Sequence, residues 1–433
     1  MNGESPLKPG SNLWGCDGNE PLADTIMRRR FDILIIGNSA AGLQALNTIR
    51  RHCREVTVAI VDREDCPAYS RVLTPYYIGG KTDRDNMFIV DYDYYDQLGV
   101  TTFFGHTVIE LDAGRREVRF EDGTTIGFGK LLLAAGAEAR VPEYKAKAVC
   151  TLRHMEDADT LTRLLNGARS ITAVGAGLVS IPFLSHASVD IERHLVIGSN
   201  RVFSRVIDAE SSAFLEEQFF SSGLMIHKQD DISSLSATDR LELSLASGKT
   251  ITTDLLLVGK GVVPNTGLAR QAGLSVGDGI KVDEFCRTNH PDIHAAGDAA
   301  EGLDFVSGES IVQGNWITAV EQGENAALNM LGLTCAYEGS MKNNITEVFG
   351  ADLAAVGYCR DDAPKSITVG TPFSGRYRKI FLDERQRVIG AVMIGETNDA
   401  GGYYRMVRTR EVFPGPQILH GENRYGSAML RMS

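Results

Sequence analysis

Short apolar runs that stop at glycine turns recur along this chain, each followed by polar or helix-periodic sequence. Ile33-Leu34-Ile35-Ile36 is continuously apolar, the pattern of a strand buried on both faces of a parallel sheet, and it breaks at Gly37-Asn38-Ser39-Ala40-Ala41-Gly42. Leu43, Leu46 and Ile49 then fall on one helical face, which predicts a helix closing near Arg50-Arg51. A second apolar strand, Val56 to Val61, ends at Asp62. The same order returns at Ile171 to Val174, Gly175-Ala176-Gly177-Leu178-Val179-Ser180, a helix-length stretch, and Leu195 to Ile197. Leu131 to Ala137 and Leu255 to Gly261, the latter followed by Pro264-Asn265, are apolar strands running into glycine turns, and each is predicted to close its sheet. Ile293-His294-Ala295-Ala296-Gly297-Asp298 places small residues at a strand end before an acid.

A strand, glycine turn, helix, strand and terminal acid is what a dinucleotide requires. Gly37 allows the tight turn, the helix N-terminus at Ser39, Ala40 and Gly42 offers free N–H groups to a diphosphate, and Asp62 accepts from a ribose hydroxyl. Ala40 stands where a second glycine is often found. In the second unit Gly175, Gly177, Leu178, Val179 and Ser180, with Gly259 on the neighbouring strand, form the corresponding site, but Ser180 replaces the third glycine. Its second strand ends in Gly198-Ser199-Asn200-Arg201 instead of an acid. Ser199 or Arg201 substitutes for the ribose contact, and an arginine there suits a 2′-phosphate equally well, so NAD and NADP both stay open.

At 433 residues the chain fits two or three domains, and its 43% hydrophobic and 23% charged content is that of an ordinary globular protein. A formal net charge of -12 argues against a nucleic-acid surface. The 7 cysteines are scattered without a Cys-x-x-Cys pair, so neither a disulfide framework nor a tetrahedral metal site is expected, and a reducing, cytoplasmic setting is. Arg28-Arg29-Arg30 ahead of Phe31-Asp32-Ile33 is not read as a signal peptide, because the apolar run is short and Asp32 interrupts it. No other stretch approaches the roughly 20 apolar residues of a membrane span. Residues 1–30, with Trp14 and Cys16, are read as an extension outside the folded core. His290 and His294 are separated by Pro291, and no metal site is expected there.

These segments, taken in order, resemble the FAD-dependent pyridine nucleotide oxidoreductases of the glutathione-reductase structural class. The resemblance covers about residues 31–400 and implies an α/β fold of two Rossmann-like domains with a C-terminal α+β interface domain. The implied FAD-binding domain is discontinuous, residues 31–150 and 265–330, around an NAD(P)-binding domain at 151–264, with residues 331–433 as the interface domain. It further implies FAD at Gly37, Ser39, Ala40, Gly42, Asp62, Ala135, Gly136, Gly297 and Asp298. Tyr69-Ser70-Arg71 looks like the stretch of rubredoxin-reductase and nitrite-reductase relatives in which Ser70 and Arg71 are FAD contacts.

Two departures stand out. Where one branch of the family carries its single redox cysteine before Leu-Pro-Tyr-Tyr-Ile, this chain has Val72, and Cys66 upstream is read as structural. Where many members place a glutamate after the nicotinamide motif, this chain has Pro182. No catalytic side chain is therefore assigned, since a thiolate is the required nucleophile of cysteine-mediated redox chemistry. The run Tyr69 to Gly80 with the two glycine motifs is also similar to the flavoprotein subunits of anaerobic 2-oxoacid oxidoreductase complexes of the phenylglyoxylate dehydrogenase type. That likeness implies a hetero-oligomer in which iron–sulfur, ferredoxin-like subunits and a thiamine-diphosphate oxidoreductase are the partners. A free-standing ferredoxin, rubredoxin or nitrite-type reductase and a non-catalytic flavoprotein scaffold are the alternatives.

Overall fold

The computed structural model describes residues 29–140, 146–371 and 375–415. Most of the N-terminal extension, including Trp14 and Cys16, lies outside the described residues. Arg29 and Arg30 do not belong to an extension, because they open the first strand.

Strand β1 (Arg29–Ile36), helix α1 (Ala40–His52) and strand β2 (Val58–Asp62) form the first unit, with Ile33 to Ile36 paired in parallel to Val58 to Val61. The short helix α2 (Thr74–Ile78) follows, with Pro75 in its first turn, where a missing N–H has no helical partner to lose. β3 (Val100–Phe104) pairs in parallel with β2, and β4 (Val108–Asp112), β5 (Glu117–Phe120) and β6 (Thr125–Leu133) then form an antiparallel meander. β6 returns to lie parallel beside β1, placing Leu133 opposite Ile36, so the order is β3-β2-β1-β6-β5-β4.

β7 (Ala137–Ala139) leaves this sheet and leads to β8 (Val149–Cys150), α3 (Met155–Leu165), β9 (Ser170–Val174), α4 (Ser180–His186), β10 (Glu192–Ile197), α5 (Ala209–Ser221) and β11 (Leu224–Lys228). An antiparallel layer, β12 (Ile232–Ala237), β13 (Leu241–Leu245) and β14 (Thr250–Thr253), precedes β15 (Leu255–Val258). The second sheet is wholly parallel in the order β11-β10-β9-β15-β8. β16 (Val262–Pro264) runs back antiparallel to β7, so two crossing strands join the sheets.

The chain re-enters the first sheet at β17 (Ile293–Ala295), paired in parallel with Leu131 to Leu133 of β6. Helix α6 (Trp316–Met330) then packs on α1 so closely that a Cβ at Gly323 would lie 2.2 Å from the Ala41 carbonyl oxygen. Five antiparallel strands complete the described chain: β18 (Asn343–Val348), β19 (Ala351–Gly357), β20 (Lys365–Thr371), β21 (Arg376–Leu382) and β22 (Val388–Gly395), with helix α7 (Ala400–Arg408).

Neither glycine-terminated strand closes its sheet, contrary to the sequence expectation. β6 lies between β1 on one side and β5 and β17 on the other, and β15 lies between β9 and β8. A continuous apolar run marks a strand covered on both faces, and such strands sit in the interior of a sheet.

Candidate active-site cleft

One cleft of about 770 Å³ gathers residues from every part of this fold. Its floor is the turn after β1, and its walls come from the ends of β2 and β6, the Arg71–Tyr76 segment, and the start of α3. Leu178, Val179 and Pro182 of the second unit, the N-terminus of α6 and Asn343 to Thr346 of β18 close the far end.

The floor is built for a group that needs close backbone approach. Gly37 has φ +110, and a Cβ on it would stand 2.1 Å from the Ala134 carbonyl oxygen. At Gly42 a Cβ would meet the Gly37 carbonyl oxygen at 1.8 Å, so only glycine lets α1 start directly on the turn. The second unit repeats the device, with Gly175 at φ +113 and its hypothetical Cβ 2.2 Å from the Gly259 carbonyl oxygen. Ser180 is accommodated because Gly259 has no side chain; its Oγ donates to the Val174 carbonyl at 3.0 Å, beneath the turn.

The cleft brings together Gly37, Ser39, Ala40, Asp62, Arg71, Ala135, Gly136 and Asp298 of the first set of expected site residues, and Leu178 and Val179 of the second. Gly42, Ser70 and Gly297 stand behind its surface, and the Gly297 N–H donates to Gln322 Oε1 at 2.8 Å. Gly175, Gly177, Ser180, Ser199, Arg201 and Gly259 lie outside it. Ser199 Oγ donates to its own loop at the Arg201 carbonyl (2.7 Å), and the Arg201 guanidinium pairs with Asp361 at 3.1 Å. Asp62 accepts from the N–H groups of Asn38 (2.6 Å) and Glu64 (2.9 Å), and burial raises its carboxyl against those bonds. Asn38 is held in turn by Tyr95, whose hydroxyl donates to Asn38 Oδ1 at 2.9 Å.

A network that the sequence reading did not single out dominates the charged wall. Glu64 accepts from Arg71 Nη2 at 2.5 Å, the Tyr69 hydroxyl at 2.9 Å and the Met155 N–H at 3.1 Å, and contacts His154 Nδ1 at 3.2 Å. Burial opposes its charge, yet the His154 and Arg71 hydrogen bonds hold the Glu64 carboxyl far below the usual carboxylate range. Arg71 also donates to the Arg153 carbonyl at 2.5 Å, and the Arg153 guanidinium reaches Asp298 at 2.8 Å. Helix caps are normally Ser, Thr, Asp or Asn, so a histidine directly before α3 is the one local signal that pointed here.

No cysteine lines the cleft among the described residues. Val72, half exposed at 50%, stands on its rim with Ile317 and Ile345. Cys66 packs with Tyr69, Met87 and Met155, and burial pushes its thiol up to about 12.

Two glycine-floored units, each between parallel strands, one lining a cleft that the other reaches, define a scaffold for two dinucleotides. Residues 31–323 match the family model described as pyridine nucleotide-disulphide oxidoreductase, and residues 343–411 match the rubredoxin NAD+ reductase C-terminal domain. The chain belongs to the pyridine nucleotide-disulphide oxidoreductase family, and its homologues are FAD-dependent NAD(P)H oxidoreductases. It is 27% identical over 380 residues to the assimilatory nitrate reductase electron transfer subunit of Bacillus subtilis, covering 85% of this chain and 48% of that protein. The chain thus spans about half the length of that relative. It is 30% identical to the ferredoxin reductase subunit of the 5,5'-dehydrodivanillate O-demethylase of Sphingobium, covering 71% of this chain and 77% of that one. It is 28% identical to the epsilon subunit of the NADH-dependent phenylglyoxylate dehydrogenase of Aromatoleum evansii, covering 87% and 91%. The fold matches that of the reductase in the covalent putidaredoxin reductase–putidaredoxin complex with a TM-score of 0.86 at 21% identity, over 93% of this chain and 98% of that one. No helix among the described residues is long and apolar enough to cross a membrane.

Proposed function

We propose that this chain is an NADH-linked flavoprotein that exchanges electrons with an iron–sulfur partner through the open end of its cleft. The observation that carries the reading is the apolar rim of Val72, Ile317 and Ile345 at the position where a redox thiol would stand. With no cysteine lining the cleft among the described residues, no described thiolate stands to relay the electrons, and they are exchanged by way of the cleft mouth.

When bound, FAD would supply the redox chemistry, coupling two-electron hydride exchange with the nicotinamide to single-electron exchange with the partner. The protein's part is positioning. The Gly37–Ala40 turn presents backbone N–H groups to the diphosphate, Arg71 and Arg153 supply its positive wall, and Asp298 faces the sugar-like chain. Leu178, Val179 and Pro182 offer the nicotinamide an apolar seat without a charged group. The Arg201 guanidinium is held by Asp361, which supports NADH over NADPH because a 2′-phosphate would have to displace that carboxylate. The domain division into 31–150 with 265–330, 151–264 and 331–433 is proposed on the same grounds.

Membership of a 2-oxoacid oxidoreductase complex of the phenylglyoxylate type is the finer proposal, supported by similarity over nearly the whole length of that complex's epsilon subunit. A free-standing reductase of a soluble ferredoxin or rubredoxin is the second reading, favoured by the rubredoxin NAD+ reductase C-terminal domain at residues 343–411. Anaerobic stopped-flow of the FAD-loaded protein tests both. Flavin bleaching within the mixing experiment by NADH, and much more slowly by NADPH, is expected. A flavin that stays oxidised with either coenzyme would sink the catalytic reading and leave a scaffold. Steady turnover with an isolated ferredoxin or rubredoxin would favour the second reading over the complex.

A further inference from the structure

The imidazole of His154 is clamped between two carboxylates from different parts of the chain. Nδ1 contacts Glu64 Oε1 at 3.2 Å, just beyond β2, and Nε2 contacts Glu138 Oε2 at 3.0 Å, on the crossing strand β7. Only a doubly protonated ring donates to both. Glu64 is the same carboxylate that grips Arg71, and Glu138 also accepts from Arg63 at 2.5 Å and Asn265 at 3.2 Å. His154 therefore sits at the crossing between the two sheets and on the wall of the dinucleotide cleft at once.

We infer that His154 is a positioning residue whose proton sets how tightly the cleft holds its dinucleotide: the imidazolium braces Glu64 and Glu138, and through Glu64 keeps Arg71 facing the diphosphate. This rests on the reading of the cleft as the FAD site. The charge balance of the wall gives the reason. Arg63, Arg71 and Arg153 face Glu64, Glu138 and Asp298, with Asp62 at the floor, so three guanidiniums stand against four carboxylates and the site is relieved of its negative excess only when His154 is charged. A diphosphate brings two further negative charges into that wall.

The other groups packed on the ring oppose or support its charge in identifiable ways. Burial and the Arg63 guanidinium, which abuts Nε2, disfavour the imidazolium, whereas Glu138 and Glu64 outweigh them and raise its pKa. Asp157 is occupied by the N–H groups of Arg153 and His154, and Tyr69 and Cys66 are neutral at ordinary pH, with burial pushing both groups up. A raised folded-state value means that the brace is complete at low pH and is lost as pH rises through it, so the dinucleotide should be released on the alkaline side.

The test is FAD binding to deflavinated full-length protein, followed by quenching of free FAD fluorescence from pH 5.5 to 9. The expected result is a Kd that rises roughly tenfold on the alkaline side of a single break in the neutral-to-alkaline range. That break should vanish in His154→Gln, which binds weakly at every pH, and tight binding should persist to high pH in His154→Lys. His106 also lines the cleft, and His106→Gln should keep the break. A break unchanged in His154→Gln, or removed by His106→Gln, overturns the inference while leaving the FAD site intact. Protein that binds no FAD at any pH, with unaltered circular dichroism, would instead overturn the reading of the cleft itself.

Discussion

Several side chains in this protein have chemistry that depends on a neighbour far away in the chain. Ser180 looks like a defect in a glycine motif until Gly259 is seen beside it, leaving room for a hydroxyl that caps the Val174 carbonyl. Arg71 was legible as a cleft residue because Tyr-Ser-Arg followed by Leu and Pro resembles a stretch of rubredoxin- and nitrite-reductase relatives; Glu64, its partner, was not, since it stands two residues beyond the strand-ending acid Asp62, outside any motif. His294 shows the same dependence in its ionisation. It is 2% exposed on β17, its Nδ1 has no hydrogen-bond partner, and burial lowers its pKa to about 4. The unfolded ring titrates near the ordinary histidine value of about 6.5, so the native state binds fewer protons between the two values. Stability should then be complete above pH of about 6.5 and fall toward pH 4, by up to about 3 kcal/mol from this residue. Urea denaturation of His294→Leu should show a flatter acid limb over that window with little change at pH 7; an unchanged limb would refute the assignment.

At the scale of elements, the two glycine units are near copies in geometry but differ in what they floor. The first opens the cleft, whereas most of the second lies outside it and contributes Leu178, Val179 and Pro182. Gly175 and Gly177 separate two meanings of a motif glycine. The φ of +113 and the 2.2 Å approach to Gly259 make Gly175→Ala a strained backbone, costing more than about 1 kcal/mol, while a Cβ at Gly177 meets nothing within 4 Å. Gly175→Ala should lose NADH binding by calorimetry while retaining flavin, and Gly177→Ala should fold with unchanged melting temperature. Equal loss of flavin in both would show that the second unit does not act separately from the first. Strand and turn positions were readable in these units, but the place of β6 and β15 within their sheets was not. Apolarity reports burial; it does not name the neighbour.

Across the whole molecule, the C-terminal sheet is joined to the second unit by apolar packing and a buried ion pair. Phe183 and Phe219 share a core with Leu353, Tyr377 and Phe381. At its edge Lys379 Nζ lies 2.7 Å from Asp208, which is fully buried and also caps α5 through the N–H groups of Glu210 and Ser211. Burial works against the lysine's charge, but its bonds to Asp208 and Glu210 raise its pKa. Lys379→Met would strand a buried carboxylate and is expected to cost about 3–5 kcal/mol in chemical denaturation. The double change Lys379→Met with Asp208→Asn should recover part of that loss, and strict additivity would mean that the two groups are not coupled.

The sequence by itself determined the α/β class, the two glycine-turn units and the family, because each is written in local periodicity or in contiguous motifs. Tertiary structure alone decided that β17 completes the first sheet, that Asp361 engages Arg201, and that His154 stands between Glu64 and Glu138. Those contacts join residues far apart in the chain. Their energies depend on distance, burial and mutual charge, none of which a linear pattern records.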